Sequence, residues 1–255
     1  MTRLITVIGG KGGVGKTTLV SNLAYSLADL GKEVIAVDAN LTTPNLALHL
    51  GLHLAPETLH DVLKGETKLK DAIYPHPFGF KVLPASMSVN DLTGVDVGKL
   101  PEVALNLTGK ADFVLMDCAA GLGREAISAI QAGDEILLIT NPDLPAVADA
   151  LKTLKIAERS EKKTLGVVVN RVEKRWYELT KWEIEEILGL PVLAEIPEDK
   201  NMDKTITLKT PLVRFDPFSP ASIEIRKLAH WLAGEEFREE RGLGILERLV
   251  KWITG

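Results

Sequence analysis

Residues 9–18 read Gly-Gly-Lys-Gly-Gly-Val-Gly-Lys-Thr-Thr, and this stretch decides the fold. It follows an apolar run at residues 4–8 that predicts a buried strand, and it leads into apolar residues at helical spacing between Leu19 and Leu30. From Gly10 to Thr17, two glycines separated by four residues are followed by Lys and Thr, the spacing of a phosphate-binding loop. A glycine-rich turn that binds nothing is the alternative, and the strand, spacing, lysine and threonine together disfavour it.

Each residue type in this loop suits a nucleotide phosphate. Glycines allow backbone N–H groups to turn toward phosphate oxygens, and the helix N-terminus adds unpaired donors and a positive dipole end. We expect Lys16 to reach the β- and γ-phosphates and the Thr17 hydroxyl to bind Mg²⁺. The predicted nucleotide-binding residues of the loop are Gly10, Lys11, Gly12, Gly13, Val14, Gly15, Lys16, Thr17 and Thr18.

Lys11 is an additional lysine just inside the loop, and it distinguishes this sequence from an ordinary phosphate-binding loop. With it, the chain resembles the deviant Walker A family of MinD and ParA ATPases, which includes the nitrogenase iron protein. In that family the extra lysine crosses a dimer interface and contacts the partner's nucleotide. The resemblance therefore implies an ATP-dependent homodimer in which Lys11 supplies positive charge in trans. A solvated loop lysine is the alternative.

The whole chain fits one α/β domain. It has 255 residues, 45% hydrophobic and 25% charged, and predicted strands alternate with helices throughout. We therefore expect a single doubly wound, mostly parallel sheet, with residues 1–233 as the ATPase domain. The net charge of −5 argues against a globally basic nucleic-acid binder.

The single cysteine, Cys118, argues against an iron–sulfur or zinc protein, because the members of those kinds that this chain resembles use at least two cysteines per chain. We recognise no signal peptide and no membrane-spanning segment in the sequence. Both observations favour a cytoplasmic protein in a reducing compartment.

Asp38 and Asn40 follow the second predicted strand. A carboxylate at the carboxyl end of a buried strand lies where ligands bind in doubly wound sheets. In the family this segment is switch I, where a second aspartate usually orients the attacking water, and here Asn40 takes that position. An amide holds a water but cannot accept its proton, so we predict slow hydrolysis and a long-lived ATP-bound dimer. Asn40 as a helix N-cap or turn residue is compatible with this role.

The apolar run at residues 111–116 ends at Asp117, in the manner of a Walker B strand, and residues 118–123 correspond to switch II. The resemblance implies that Asp117 holds Mg²⁺ through water and that Gly121 lets a backbone N–H approach the γ-phosphate. The predicted metal site is Thr17, Asp38 and Asp117. The predicted catalytic residues are Lys11, Lys16, Asp38, Asn40 and Asp117.

The base-binding residues are implied by the resemblance alone. In the family an asparagine after the strand at 165–169 hydrogen-bonds adenine, and here that residue is Asn170. An Asn side chain carries both a donor and an acceptor, although a turn-forming role is the alternative. Pro197 and Asp199 lie in an Ile-Pro-Glu-Asp segment that is similar to MinD and lies beside the base in relatives. Residues 41–46, Leu-Thr-Thr-Pro-Asn-Leu, are closer to archaeal-type MinD than to ParA.

Residues 234–255 differ in character from the rest. A charged run and the possible hinges Gly242 and Gly244 precede the segment from Ile245 to Ile253, whose apolar and charged residues fall on opposite sides of a helical wheel. With Trp252 this predicts an amphipathic helix that binds a membrane surface, which places the protein peripherally on the cytoplasmic face. MinD proteins carry a membrane-targeting tail here. A terminal helix docked on its own core is the alternative.

Three functional hypotheses follow. The leading one is a MinD-type ATPase that binds MgATP, dimerises and acts as a membrane-associated spatial switch for cell division or protein positioning, with a further protein partner unknown. The second is a ParA-like DNA-partition ATPase, which the acidic charge disfavours. The third is a module that holds ATP with negligible turnover, which the asparagine at position 40 keeps open.

Overall fold

Apolar runs that the sequence predicts as strands form the centre of the molecule, because residues with no polar face must be covered on both sides. The computed structural model describes residues 1–238, which contain one eight-stranded sheet. In chain order the strands are β1 Arg3–Ile8, β2 Val34–Ala39, β3 Tyr74–Pro75, β4 Lys81–Leu83, β5 Phe113–Cys118, β6 Glu135–Thr140, β7 Lys163–Val172 and β8 Val192–Pro197. Across the sheet they lie in the order β3-β4-β2-β5-β1-β6-β7-β8.

Helices connect the strands. They are α1 Lys16–Asp29, α2 Leu46–Leu50, α3 Leu59–Lys64, α4 Leu100–Leu105, α5 Arg124–Ala132, α6 Leu144–Arg159, α7 Lys181–Leu188, α8 Met202–Thr207, α9 Leu212–Phe215 and α10 Pro220–Ala233. Three short 3-10 segments lie at Leu69–Asp71, Val89–Leu92 and Val97–Lys99.

The two faces of the sheet enter two separate cores, as the alternation of side chains along a strand requires. In β1, Leu4 and Ile8 join the core beneath α4, α5, α6 and α7, whereas Ile5 and Val7 join the core beneath α1 and α10. The central strand is therefore buried on both faces, and this fixes the position of the loop that follows it.

The predicted doubly wound, mostly parallel sheet is confirmed. Every strand pair is parallel except β3 with β4, which is antiparallel. The sequence did not indicate β3, because two residues are too few to show an alternating pattern. Since the chain runs from β1 to β2 on one side and returns to β6 on the other, a crevice opens above the carboxyl end of β1.

The predicted boundary of the ATPase domain coincides with the end of a helix. The last helix, α10, ends at Ala233, and Gly234 follows it in the left-handed conformation with φ 70°. The predicted amphipathic helix from Ile245 to Ile253, with its glycine hinges, lies outside the described residues. Among residues 1–238, no helix is long and apolar enough to cross a membrane.

Candidate functional site

The loop between β1 and α1 has the backbone shape of an open anion cradle. Gly13 and Gly15 adopt left-handed φ values of 79° and 100°, and Lys16 begins the helix directly after Gly15. The space beside the α-carbons of Gly12 and Gly13 is free of other atoms to 4 Å. The backbone N–H groups at the start of the helix therefore border open space, as phosphate binding requires.

The two ends of this loop are held by close contacts with the rest of the domain. A Cβ at Gly10 would lie 2.1 Å from the carbonyl carbon of Asp149 in α6, so only glycine fits there. The Asn170 amide, at the end of β7, donates a hydrogen bond of 2.8 Å to the Val14 carbonyl. Asn170 thus braces the loop, a role that the sequence did not predict, and its use in base recognition stays a prediction.

Lys16 is a buried cation in need of an anion. Its side chain is buried, and its ammonium lies 3.4 Å from the Lys11 carbonyl, but it forms no ion pair within 4.0 Å among residues 1–238. Burial lowers the pKa of the lysine, while the charges of Asp117 and Cys118 oppose that shift. A phosphate in the cradle would supply the missing negative charge, so the geometry fits the predicted contact with a nucleotide.

Two carboxylates meet beside this lysine. Asp38 of β2 and Asp117 of β5 are neighbours in the strand register, and both are buried. Burial and the nearby Asp117 raise the pKa of Asp38 well above its ordinary value. Burial also raises the pKa of Asp117, to about 6, although the Thr17 hydroxyl and Lys16 lower it. Two buried acids that resist ionisation together indicate a position for positive charge.

The oxygen atoms around these two acids suit a hard cation that phosphate oxygens would also bind. The Thr17 hydroxyl donates to Asp117 Oδ2 at 2.6 Å, and Asp117 Oδ1 is buried without a partner. Asp38 is already occupied, since its oxygens accept the N–H groups of Leu46 and Asn40 at 3.0 and 3.3 Å. Within residues 1–238, no cluster of three His, Cys, Asp or Glu side chains could hold a metal by itself. Mg²⁺ fits here as a ligand of Thr17 and Asp117, with phosphate completing its shell.

The raised pKa of Asp117 gives a pH prediction for the nucleotide-free protein. Ionised Asp117 destabilises the folded state, so its contribution is most favourable below pH 3.8 and is lost as the pH rises through about 6. We expect Asp117→Asn to raise the free energy of unfolding at pH 7 by about 3 kcal/mol. The gain should fall by about half at pH 5.

Urea unfolding of both proteins between pH 5 and pH 8 measures this difference. Asp203→Asn is the matched control, because Asp203 is exposed in α8 and its replacement should change stability little at any pH. A gain that is absent, or that grows as the pH falls, would contradict the assigned environment of Asp117.

Lys11 lies at the open edge of the cradle. Its ammonium is 3.3 Å from Asp143 Oδ1, and both side chains are partly exposed. Asp143 is the N-cap of α6, where the same oxygen accepts the Ala146 N–H at 2.9 Å. An Asp before Leu-Pro suggests an N-cap, but nothing in the sequence indicates its ion pair with a lysine 132 positions earlier. The predicted trans residue is thus held within its own chain by one exposed ion pair.

Asn40 is engaged in the turn of its own loop. Its amide donates to the Thr43 carbonyl at 2.6 Å, and its Oδ1 accepts the Thr43 hydroxyl at 3.1 Å. The structure therefore displays the turn-forming role, which the sequence left open beside the catalytic one. Its side chain would have to leave Thr43 in order to hold a water over the cradle.

Switch II begins in the sheet and ends in open space. Cys118 is buried, and burial raises the pKa of its thiol to about 12, so it is an inert structural residue. Gly121 has φ 82° and open space beside its α-carbon. Its backbone can approach a ligand closely, as predicted.

The predicted base-binding end lies across the loop from the acids. Pro197 ends β8, and Asp199 follows it with Oδ1 accepting the Asn201 N–H at 2.8 Å. A cavity of about 570 Å³ opens beside this segment, lined by Glu198, Asp199, Lys200, Asn201, Asp216, Phe218, Ser219 and Pro220. The structure thus places Asp199 at this cavity, and the contact of Pro197 and Asp199 with a base stays a prediction.

Comparison with known proteins extends the description. The model of the CobQ/CobB/MinD/ParA nucleotide binding domain family matches residues 5–212. An uncharacterized ATP-binding protein of Methanocaldococcus jannaschii is 39% identical over 258 residues, covering 100% of this chain and 98% of that protein.

Two solved structures are similar over most of the chain. The cell division ATPase MinD of Pyrococcus furiosus superposes with a TM-score of 0.89 at 39% identity, covering 92% of this chain and 99% of that one. MinD of Pyrococcus horikoshii, complexed with Mg-ADP, gives a TM-score of 0.88 at 38% identity, covering 91% and 96%. The family match over residues 5–212 spans the cradle, both acids and Asn170.

Proposed function

The chain belongs to the CobQ/CobB/MinD/ParA nucleotide-binding family and is a MinD-type P-loop ATPase, and from that premise we propose that it dimerises around MgATP and binds a membrane surface through its C-terminal residues. Its role would be that of a spatial switch in cell division or protein positioning. The observation that carries the nucleotide part is the buried, anion-free Lys16 beside an open cradle and an unpartnered Asp117 oxygen. Titration of a Lys16→Ala variant with an ATP analogue tests nucleotide binding, and the mass of the protein with ADP and with the analogue tests dimerisation.

MgATP would occupy the cradle with each group of the chain in a defined role. Backbone N–H groups of residues 12–18 and the Lys16 ammonium bind the phosphates, and Thr17 with Asp117 holds Mg²⁺. Mg²⁺ held there would supply positive charge that offsets the charge of the phosphates. Asn170, Pro197 and Asp199 are the residues proposed to contact the base. ATP, ADP and Mg²⁺ are therefore the proposed ligands.

The position of Lys11 supports the proposed dimerisation. Its ion pair with Asp143 is half-exposed, and such pairs contribute about 1 kcal/mol or less. A phosphate of a second copy offers more negative charge than one carboxylate, so Lys11 can exchange its own Asp143 for the nucleotide of the partner subunit. Nucleotide state would in this way control association.

Hydrolysis is proposed to be slow because the switch I side chain is an amide. Asn40 cannot take a proton from water, and its groups are bonded to Thr43. We expect Asn40→Asp to raise the turnover of ATP by about tenfold or more, since a carboxylate orients and polarises the water more strongly. Phosphate release under saturating MgATP measures the effect.

Asn45→Asp is the matched control for this substitution, because it adds the same charge five residues away in the same loop. Equal turnover in wild type and Asn40→Asp would contradict the role proposed for this position. Zero turnover in both would favour a module that only holds ATP.

Membrane binding is proposed for residues 245–253, which lie beyond the described residues. After the end of α10, Glu235 pairs with Lys32 at 2.6 Å, and the Phe237 ring packs against the His230 ring with their centroids 5.1 Å apart. A short amphipathic helix binds lipid weakly, and two copies in a dimer gain avidity of roughly 100-fold in favourable geometry. Nucleotide-dependent dimerisation would then set membrane occupancy.

Truncation after Arg238 tests the tail and keeps both contacts of the preceding segment. We expect the full chain to co-sediment with anionic liposomes more strongly with an ATP analogue than with ADP, and the truncated chain to remain in the supernatant with either. Gel filtration of the truncated protein with the analogue controls for loss of dimerisation. Equal sedimentation of both proteins would show that the tail is not the anchor.

The ParA-like alternative makes a different prediction. A DNA-partition ATPase binds DNA through basic surface, with an affinity that falls steeply as salt increases. The net charge of −5 gives no general support for this, and we expect no salt-sensitive DNA binding at physiological ionic strength. Retention of DNA that weakens with salt would favour the alternative.

A further inference from the structure

One side chain joins the two loops that would flank the γ-phosphate. Glu125, in the first turn of α5, accepts the Thr42 N–H at 3.3 Å on one carboxylate oxygen and the Thr42 hydroxyl on the other. Thr42 lies in switch I, and α5 begins where switch II ends. A single carboxylate therefore spans two segments that are 83 residues apart in sequence.

No other hydrogen bond joins these two loops in the described part of the chain. Among residues 1–238, these are the only hydrogen bonds between residues 40–46 and residues 119–126. A cavity of about 500 Å³ separates the remainder of the two loops, with Asn40, Thr43, Ala119 and Ala120 among its walls. Below the loops, β2 and β5 pair as far as Ala39 and Cys118, so the constraint of the sheet ends where the switches begin. Beyond that point, Leu41 and Ala126 share one apolar core, and Glu125 supplies the hydrogen bonds between the two loops.

We propose that Glu125 is a positioning residue that clasps switch I to switch II, so that the two loops respond to the γ-phosphate as one unit. The inference rests on the proposed nucleotide function and adds the coupling within that site. Asn40 and Thr42 are two residues apart, so the clasp also restrains the backbone at Asn40. Without it, switch I would be held by the contacts of Asp38, by the buried Leu41 side chain and by its own turn.

Hydrogen exchange in the nucleotide-free protein tests the clasp directly. We expect Glu125→Ala to speed amide exchange in residues 40–46 by roughly three- to tenfold, because the loop loses two hydrogen bonds to a charged acceptor. Thr42→Ser keeps both donors and should exchange as wild type does. Thr42→Val keeps only the N–H donor and should fall between the two.

A matched control exists in the same molecule. In α7, the Thr180 N–H and hydroxyl donate to Glu183 at 2.8 and 2.7 Å, which is the same chemistry away from the switches. Glu183→Ala should speed exchange at the start of α7 and leave residues 40–46 unchanged. Faster exchange in the switch loop of this control would show a general loss of stability and would overturn the local clasp.

The effect of the clasp on nucleotide binding is measured separately, as the affinities for an ATP analogue and for ADP. The affinity ratio between a non-hydrolysable ATP analogue and ADP should fall by roughly three- to tenfold in Glu125→Ala, while the ADP affinity itself stays close to wild type. Unchanged exchange and an unchanged ratio in Glu125→Ala would overturn the proposal. If wild type shows no preference for the analogue, the proposed switch function is contradicted, and exchange alone decides whether the clasp exists.

Discussion

Replacing Lys16 with alanine is expected to weaken MgATP binding by at least about 100-fold. Lys16 is only 8% exposed and has no anionic partner within 4.0 Å among residues 1–238, so its charge is available for a phosphate. The same site is shielded from water, and a charged contact there is worth several times one on the surface. Titration with a fluorescent ATP analogue measures the loss.

Removing the charge of Lys16 should weaken nucleotide binding but should not reduce the stability of the nucleotide-free protein. Burial lowers the pKa of Lys16, so the charged form is disfavoured in the fold. Lys16→Met, which keeps the length and apolar body of the side chain, should therefore leave the unfolding temperature unchanged or raise it. A variant that binds MgATP as well as wild type would show that the cradle is not the nucleotide site.

Replacing Lys11 with alanine is expected to abolish the dimer formed with an ATP analogue and to change nucleotide binding by the monomer only a few-fold. Lys11 lies on the outer side of the loop with its ammonium at Asp143, whereas Lys16 lies beneath the cradle. A symmetric dimer loses two such charge contacts, and the two effects on the association constant multiply, so association should weaken by at least about 100-fold. Analytical ultracentrifugation with the analogue measures the change.

Asp143→Asn is the matched comparison for Lys11→Ala. It removes the own-chain partner of Lys11 but preserves an N-cap for α6, because asparagine caps as well as aspartate. We expect this variant to dimerise at least as strongly as wild type. A dimer that persists in Lys11→Ala, or that is lost in Asp143→Asn, would contradict the exchange of partners proposed for Lys11.

Much of the fold could be predicted because its signals are local. The buried strands are continuous apolar runs, the loop has its glycines and lysine at fixed spacing, and Asp117 closes a run that pairs beside β1. Tyr74–Pro75 escaped prediction because an edge strand of two residues has no periodicity.

The contacts missed at the site are those between residues far apart in sequence. The Lys11–Asp143 pair, the Glu125–Thr42 clasp and the bond from Asn170 to Val14 each depend on which strand ends lie side by side. Strand order is set by packing of the complete sheet, so no local pattern reports it. Asn40 shows the same limit on a smaller scale. An asparagine at this position is compatible with a turn and with a catalytic role, and the sequence does not distinguish them.

The oligomeric state with ADP and with a non-hydrolysable ATP analogue tests the central claim most directly. Light scattering after gel filtration should give the 27.8 kDa monomer with Mg-ADP and twice that mass with the magnesium complex of the analogue. A monomer under both conditions, at nucleotide concentrations that saturate binding, would contradict a nucleotide-controlled dimer and the membrane switch built on it.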